Sequence, residues 1–403
     1  MTQEIQLPTS IFGKPVLRTE ANKTEEHRKA SRLDLFFDLF FVAAIRVISH
    51  EFAHDLGHWS RGALVQTVIY IVAIWRLWTS ITYFFERYKT EGLTKRLFMF
   101  VQMFLIAGVG LTMMGGSEAV HIFFLLYGLA KGGIASMYLR TNTGHKDPLY
   151  CKNNRLQIYG NSMVLIASII ALFLPGAWSV WILLMALGLD VLIPILGKST
   201  LKYLVPSFEV ETYHERFGLF IIIVLGESIL GAITGIHWDS LTHGTLSLIG
   251  AALLLSFVHW WIYFEYVSTA KILKENILSR TYLHLPLTIC FTLISATVLY
   301  LVEHSTETSH GPMLLLIVCC IIVMATVIGF EKITGPYSKL VPKTSAHLRH
   351  MGLPIIGMIF LLPNRGLSNQ TSLWIITIFA IIPIAIRAYL LTQGFRKHKA
   401  SQE

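Results

Sequence analysis

Twelve stretches of this 403-residue chain are candidates to cross a bilayer, and that recurrence limits the fold more than any other feature. A spanning helix needs about 20 mostly apolar residues. The stretches are 33–50, 62–84, 97–114, 119–139, 157–175, 177–197, 217–236, 246–268, 282–302, 312–330, 348–363 and 371–392. Within hydrocarbon, backbone groups are satisfied only in helices and closed barrels, and segments this long form helices. The expected fold is all-α: a polytopic integral membrane protein of about 12 transmembrane helices. Composition agrees, since 54% of the residues are hydrophobic and only 14% charged, against roughly 25% charged in a soluble domain. The eleventh stretch is short and holds Pro354 and Pro363, so ten or eleven spans is the competing count.

The first 32 residues are polar and lack the apolar core of a cleavable signal peptide. A net charge of +9 could point to nucleic acid, but its distribution assigns it to membrane orientation. Lys and Arg collect on cytoplasmic loops. Here they collect in the N-terminal segment, after spans 2, 4, 6, 8 and 10, and in the tail, while the alternate loops hold Arg61 and Arg365. Twelve spans with both termini cytoplasmic, in the inner (plasma) membrane, fit every loop. The expected organisation is a cytoplasmic segment 1–32, a six-helix half 33–197, a cytoplasmic linker 198–216, a second half 217–392 and a tail 393–403.

The halves look duplicated. Arg32-Leu-Asp-Leu-Phe-Phe opens span 1 and Arg216-Phe-Gly-Leu-Phe-Ile opens span 7, 184 residues later. Arg96-Leu-Phe and Arg280-Thr-Tyr open spans 3 and 9 at the same offset. His58-Trp59 matches His237-Trp238, and Tyr83-Phe84-Phe85-Glu86 matches Tyr263-Phe264-Glu265. Six spans is an even number, so a 6+6 repeat would run parallel, an arrangement that places transporter sites between halves near mid-membrane.

Ionisable residues inside spans are costly, and each is a functional candidate. Asp38 lies on the same face of span 1 as Asp34, one turn on. Arg76 in span 2, Lys131 in span 4 and Asp190 in span 6 are also intramembrane, as are Arg46 and His259. The plain alternative is that Asp38, Asp190, Arg76 and Lys131 pair with one another and tie helices together. Glu227 lies about 16 Å into span 7, counting 1.5 Å per residue from Arg216. It sits in LGESILG, where Ser228 supplies a hydroxyl and Gly226 and Gly231 permit close approach or local unwinding. A midplane carboxylate in that setting suits a proton or cation site. Glu86 and Glu265 are expected to cap helix ends or pair with Arg87 and Lys271.

Residues 50–54 read HEFAH, the spacing by which a helix offers zinc two imidazoles and a nearby carboxylate. His50 and His54 could share a metal, with Asp55 or His58 as a third ligand. Against a peptidase, no zincin extension follows and Leu56-Gly57 ends the helix almost at once. Histidine also suits an outer surface poor in Lys and Arg, so no resident cofactor is expected.

RLDLFFDLFFVAAIRVISH, HERFGLFIIIVLGESIL, WRLWTSITYFFERYKTEG and WWIYFEYVS resemble the bacterial low-temperature-requirement A membrane protein family, from about Leu33 to the last helix. The resemblance implies a multi-pass inner-membrane protein and names no reaction. It carries over Phe37-Asp38 from the first motif and Glu215, Arg216, Gly226, Glu227 and Ser228 from the second; Asp34 replaces the family's usual glutamate, and HExxH is not part of its pattern.

These readings lead to a transporter or permease-like protein of an unknown small solute or ion. Its coupling site would be built on Glu227 and Asp38 between the halves, with Arg76 or Lys131 as counter-charge. The alternatives are a membrane-embedded metal-dependent enzyme using outer histidines, and a sensor or scaffold that transports nothing. No nucleotide-binding loop is present. The expected partners are the lipid bilayer and that solute, not nucleic acid.

Overall fold

The computed structural model describes residues 15–17, 31–58, 60–90, 92–115, 119–141, 148–198, 210–236, 241–268, 276–305, 308–333, 345–362 and 366–400. Trp59, His237, Trp238 and Lys271, used in the sequence reading above, lie outside them.

Twelve α-helices fill the described residues: α1 Arg32–Asp55, α2 Arg61–Arg87, α3 Leu93–Met113, α4 Val120–Thr141, α5 Pro148–Ala171, α6 Ala177–Leu196, α7 Val210–Thr234, α8 His243–Ile262, α9 Ile277–Glu303, α10 His310–Ile333, α11 Ser345–Leu361 and α12 Asn369–Ala400. Among the described residues nine of these are long and apolar enough to cross a membrane. The other three fall short for visible reasons. Asp34, Asp38 and Arg46 charge α1, amides at Asn153, Asn154, Gln157 and Asn161 dilute α5, and α11 is only 17 residues long. Large apolar side chains point outward along the helices; Met185 is 72% exposed and Phe360 76%. In water such faces would aggregate, so they suit a lipid surround.

The helices form two compact units. The first runs to Val47 and resumes at Val72–Arg216; the second comprises Ile48–Ile71 and Phe217 onward. In the first, α4 packs along α5, α5 along α6 and α3 along α4. Glycines let them approach closely, as small residues do between membrane helices. A methyl added at Gly128 would lie 2.6 Å from the Ser168 hydroxyl, and one at Gly133 would lie 2.5 Å from the Gln102 amide. The connection from α5 to α6 turns at Gly176, whose φ of +53° is open to glycine and strained for other residues.

A small element escaped the hydropathy reading. Val16–Leu17 (β1) pairs antiparallel with Tyr88–Lys89 (β2), just past the end of α2. The Tyr88 hydroxyl donates to Asn154 Oδ1 at 2.7 Å, and Asn154 donates to Thr141 at 2.7 Å, tying the ends of α2, α4 and α5.

In the second unit, α9 is the most enclosed helix, with 83% of its apolar window buried. It packs on α10, and α8 packs on α12. Helix α8 relaxes into a π-helical turn at Tyr263–Ser268. Side chains from elsewhere hold that turn. Arg280 donates to the Val267 carbonyl, Tyr266 donates to the Pro383 carbonyl at 2.8 Å, and Arg387 pairs with Glu265 at 2.8 Å while stacking over Tyr266. Glu265 is therefore held by a cation of α12.

Candidate functional site

Asp190 of α6 is the centre of the first unit's charge cluster. Arg76 Nη2 donates to its Oδ1 at 3.1 Å, and Lys131 Nζ lies 2.7 Å from its Oδ2. Tyr127 donates to the same Oδ2. Asp190 and Lys131 have no exposed surface, and Arg76 is 2% exposed. Lys131 also donates to Ser80 Oγ at 2.8 Å, and Arg76 Nη1 to Thr79 at 3.0 Å.

Local sequence explains part of this geometry. Pro194 stands four residues after Asp190, inside α6. Proline has no N–H, so the Asp190 carbonyl loses its ordinary intrahelical donor. Arg76 Nε supplies the substitute at 3.2 Å. One guanidinium thus answers both the carboxylate and the backbone oxygen that proline leaves open.

Asp38 belongs to a separate cluster. Its Oδ1 accepts from Arg216 Nη2 at 2.7 Å and from Trp78 Nε1 at 2.8 Å, and the guanidinium lies over the Trp78 ring at 5.7 Å. Arg216 has no exposed surface and Asp38 is 1% exposed. Asp34, one turn earlier, closes a capping box with Ser31: Ser31 donates to its carboxylate from N and Oγ, and its own N–H donates back to Ser31 Oγ. Lys95 completes its surroundings at 2.8 Å. Of the four intramembrane charges weighed as mutual partners, three meet on Asp190, and Asp38 is matched by Arg216.

In the second unit, Glu227 is buried on α7 at 7% exposure. The candidate span Thr212–Thr234 has its middle at residue 223, so Glu227 sits four residues beyond it, about 6 Å. Helix α7 is continuous through LGESILG. Gly231 makes a close approach, since a methyl there would lie 3.3 Å from the Ser295 carbonyl, whereas one at Gly226 would meet nothing within 4 Å. Ser228 shares a 2.8 Å hydrogen bond with Ser295 of α9. Glu215, next to Arg216, is exposed.

The HEFAH imidazoles stack edge to face with centroids 4.7 Å apart, both exposed at the end of α1. Among the described residues no three His, Cys, Asp or Glu side chains converge to hold a metal.

Tyr127, Trp78 and Ser80 were not singled out from the sequence. Two of them carried a usable signal: Tyr127 precedes Lys131 by one turn, and Ser80 follows Arg76 by one, so each shares a helix face with a known charge. Trp78 gives no such hint, because aromatic residues abound at the ends of membrane helices.

Comparison with known proteins covers nearly the whole chain. The chain is 26% identical over 258 residues to a Rhizobium meliloti (strain 1021) protein named "Uncharacterized protein RA0937", a match over 60% of this chain and 59% of that one. The match therefore spans less than two thirds of that relative's length. No solved structure matches. The family model described as "Bacterial low temperature requirement A protein (LtrA)" matches residues 29–392, and the chain belongs to that family.

Proposed function

We propose that the protein is a permease-like carrier of the bacterial inner membrane, with both termini cytoplasmic, and that Glu227 is its ionisable coupling group. The observation that carries this reading is a carboxylate held at 7% exposure near the middle of an apolar helix. A charged side chain there costs about 3 kcal/mol relative to an apolar one. A proton or a small cation arriving at Glu227 would remove that cost, and its departure would restore it. Such a switch is what a carrier needs. Arg76 and Lys131 are engaged with Asp190, and Asp38 with Arg216.

The test is proton entry into proteoliposomes loaded with a pH-sensitive dye, after an imposed pH jump. The reading expects wild-type protein to speed entry in the presence of potassium or sodium, and Glu227→Gln to return it to the protein-free rate. Wild-type flux from well-folded Glu227→Gln protein would refute it. A second reading, that the chain is a scaffold or sensor whose charges only join helices, draws support from the three side-chain donors that saturate Asp190. It expects no flux from either protein.

A further inference from the structure

The first unit contains a small cavity that the carrier reading does not use. It lies where α2, α4 and α6 end and α5 begins, and is lined by Arg76, Ser80, Tyr83, Arg87, Tyr138, Gln157 and Pro194. Counted over water centres it measures about 20 Å³, and a single water needs about 10–15 Å³ on that measure. It has room for an occupant little larger than one water.

Its polarity is unusual. Residues 76, 80, 83 and 87 recur at helical spacing, so α2 turns one continuous polar stripe toward the cavity. Arg76 and Arg87 stand at its two ends, about 16 Å apart along the axis by rise, with side chains long enough to lean inward. Among the described residues no carboxylate lines it. Asp190 offsets one of the two cations bound to it, Arg76 and Lys131, so these three groups with Arg87 sum to +2.

Arg87 supplies a second, independent observation. It is 4% exposed, and among the described residues its Nε has no hydrogen-bond partner. A buried guanidinium N–H left without an acceptor is costly. Its planar fork is shaped for anions, carboxylates above all. The Tyr138 hydroxyl and the Gln157 amide add neutral polar groups around the same space.

We infer that this cavity binds a small monovalent anion, of formate or chloride size, held between Arg87 and Arg76. The site is separate from Glu227, and its occupancy does not depend on transport.

The experiment is thermal unfolding of the full-length protein in dodecyl maltoside, with sodium formate or chloride replacing sodium gluconate at constant ionic strength. A ligand that binds the folded state stabilises it as the logarithm of one plus its concentration over Kd. Formate, chloride or both should raise the melting temperature saturably, while gluconate, too large for the cavity, should not. Arg87→Gln should raise the apparent Kd at least tenfold, while Arg140→Gln, an exposed arginine at the end of α4, should leave it unchanged. Should Arg87→Gln fail to fold, Gln157→Glu serves instead: a carboxylate built into the cavity should raise the melting temperature without added anion and abolish the response to it. Absence of a saturable shift in the wild type, an equal shift with gluconate, or a wild-type response from Arg87→Gln or Gln157→Glu would overturn the inference.

Discussion

Asp190→Asn keeps the size of the side chain at the centre of the first cluster and removes its charge. Arg76 and Lys131 then face each other without the carboxylate that lies 3.1 and 2.7 Å from them. At an effective dielectric of about 20, unit charges at those separations attract by roughly 5 and 6 kcal/mol. That gross attraction is largely offset in the folded protein by the cost of taking the charges out of water. What a substitution exposes is the residual, and removing one partner of a buried ion pair typically costs about 3–5 kcal/mol. Natural proteins are stable by only about 5–15 kcal/mol, so Asp190→Asn should remove a large share of the margin. The assay is reversible unfolding in dodecyl maltoside micelles with rising dodecyl sulfate, followed by far-ultraviolet circular dichroism. A second variant isolates the cause. Replacing Arg76 by Met, Lys131 by Met, Asp190 by Leu and Tyr127 by Phe together discards every charge of the cluster and the Tyr127 hydroxyl, leaving the Asp190 carbonyl without its Arg76 donor, and apolar replacements of buried ion pairs are often neutral. The combined variant should regain more than half of the stability lost by Asp190→Asn. A loss below about 1 kcal/mol for the single variant, or no recovery in the combined one, would refute the reasoning.

Two further outcomes can be checked in the same micelle assay. Arg216→Gln strands Asp38 with Trp78 as its remaining hydrogen-bond donor among the described residues and should cost about 3–5 kcal/mol; Arg216→Lys should recover part of that, since it restores the charge without the planar stack on Trp78. Gly128→Ala presses a methyl against Ser168 and the Leu165 backbone, where overpacking costs about 1–3 kcal/mol, and Gly188→Ala, whose added methyl meets nothing within 4 Å, should leave stability within about 0.5 kcal/mol.

The helices were legible because hydropathy is a local sum. Each segment declares itself within about 20 residues, whatever the rest of the chain does. The family resemblance was legible for a similar reason, in short continuous motifs that the match over residues 29–392 bears out. Pairing is not local. Asp38 meets a cation 178 residues away and Arg76 an acid 114 residues away. Several assignments among the buried charges satisfy charge balance equally well on paper, and helix packing selected one. The capping box at Ser31 and the Pro194 effect on the Asp190 carbonyl lie between these cases. Their spacings stand in the sequence, but the arginine that answers the freed oxygen does not.

The sequence by itself determined a helical membrane protein and marked the residues whose charges needed an explanation, because burial in oil penalises ions regardless of fold. Only the tertiary structure decided which charges neutralise one another, that Arg76, Ser80, Tyr83 and Arg87 line one small cavity, and that Gly231 rather than Gly226 makes the close contact on α7. Those choices depend on how helices distant in the chain rotate and approach, and no local sum of residue properties contains that information.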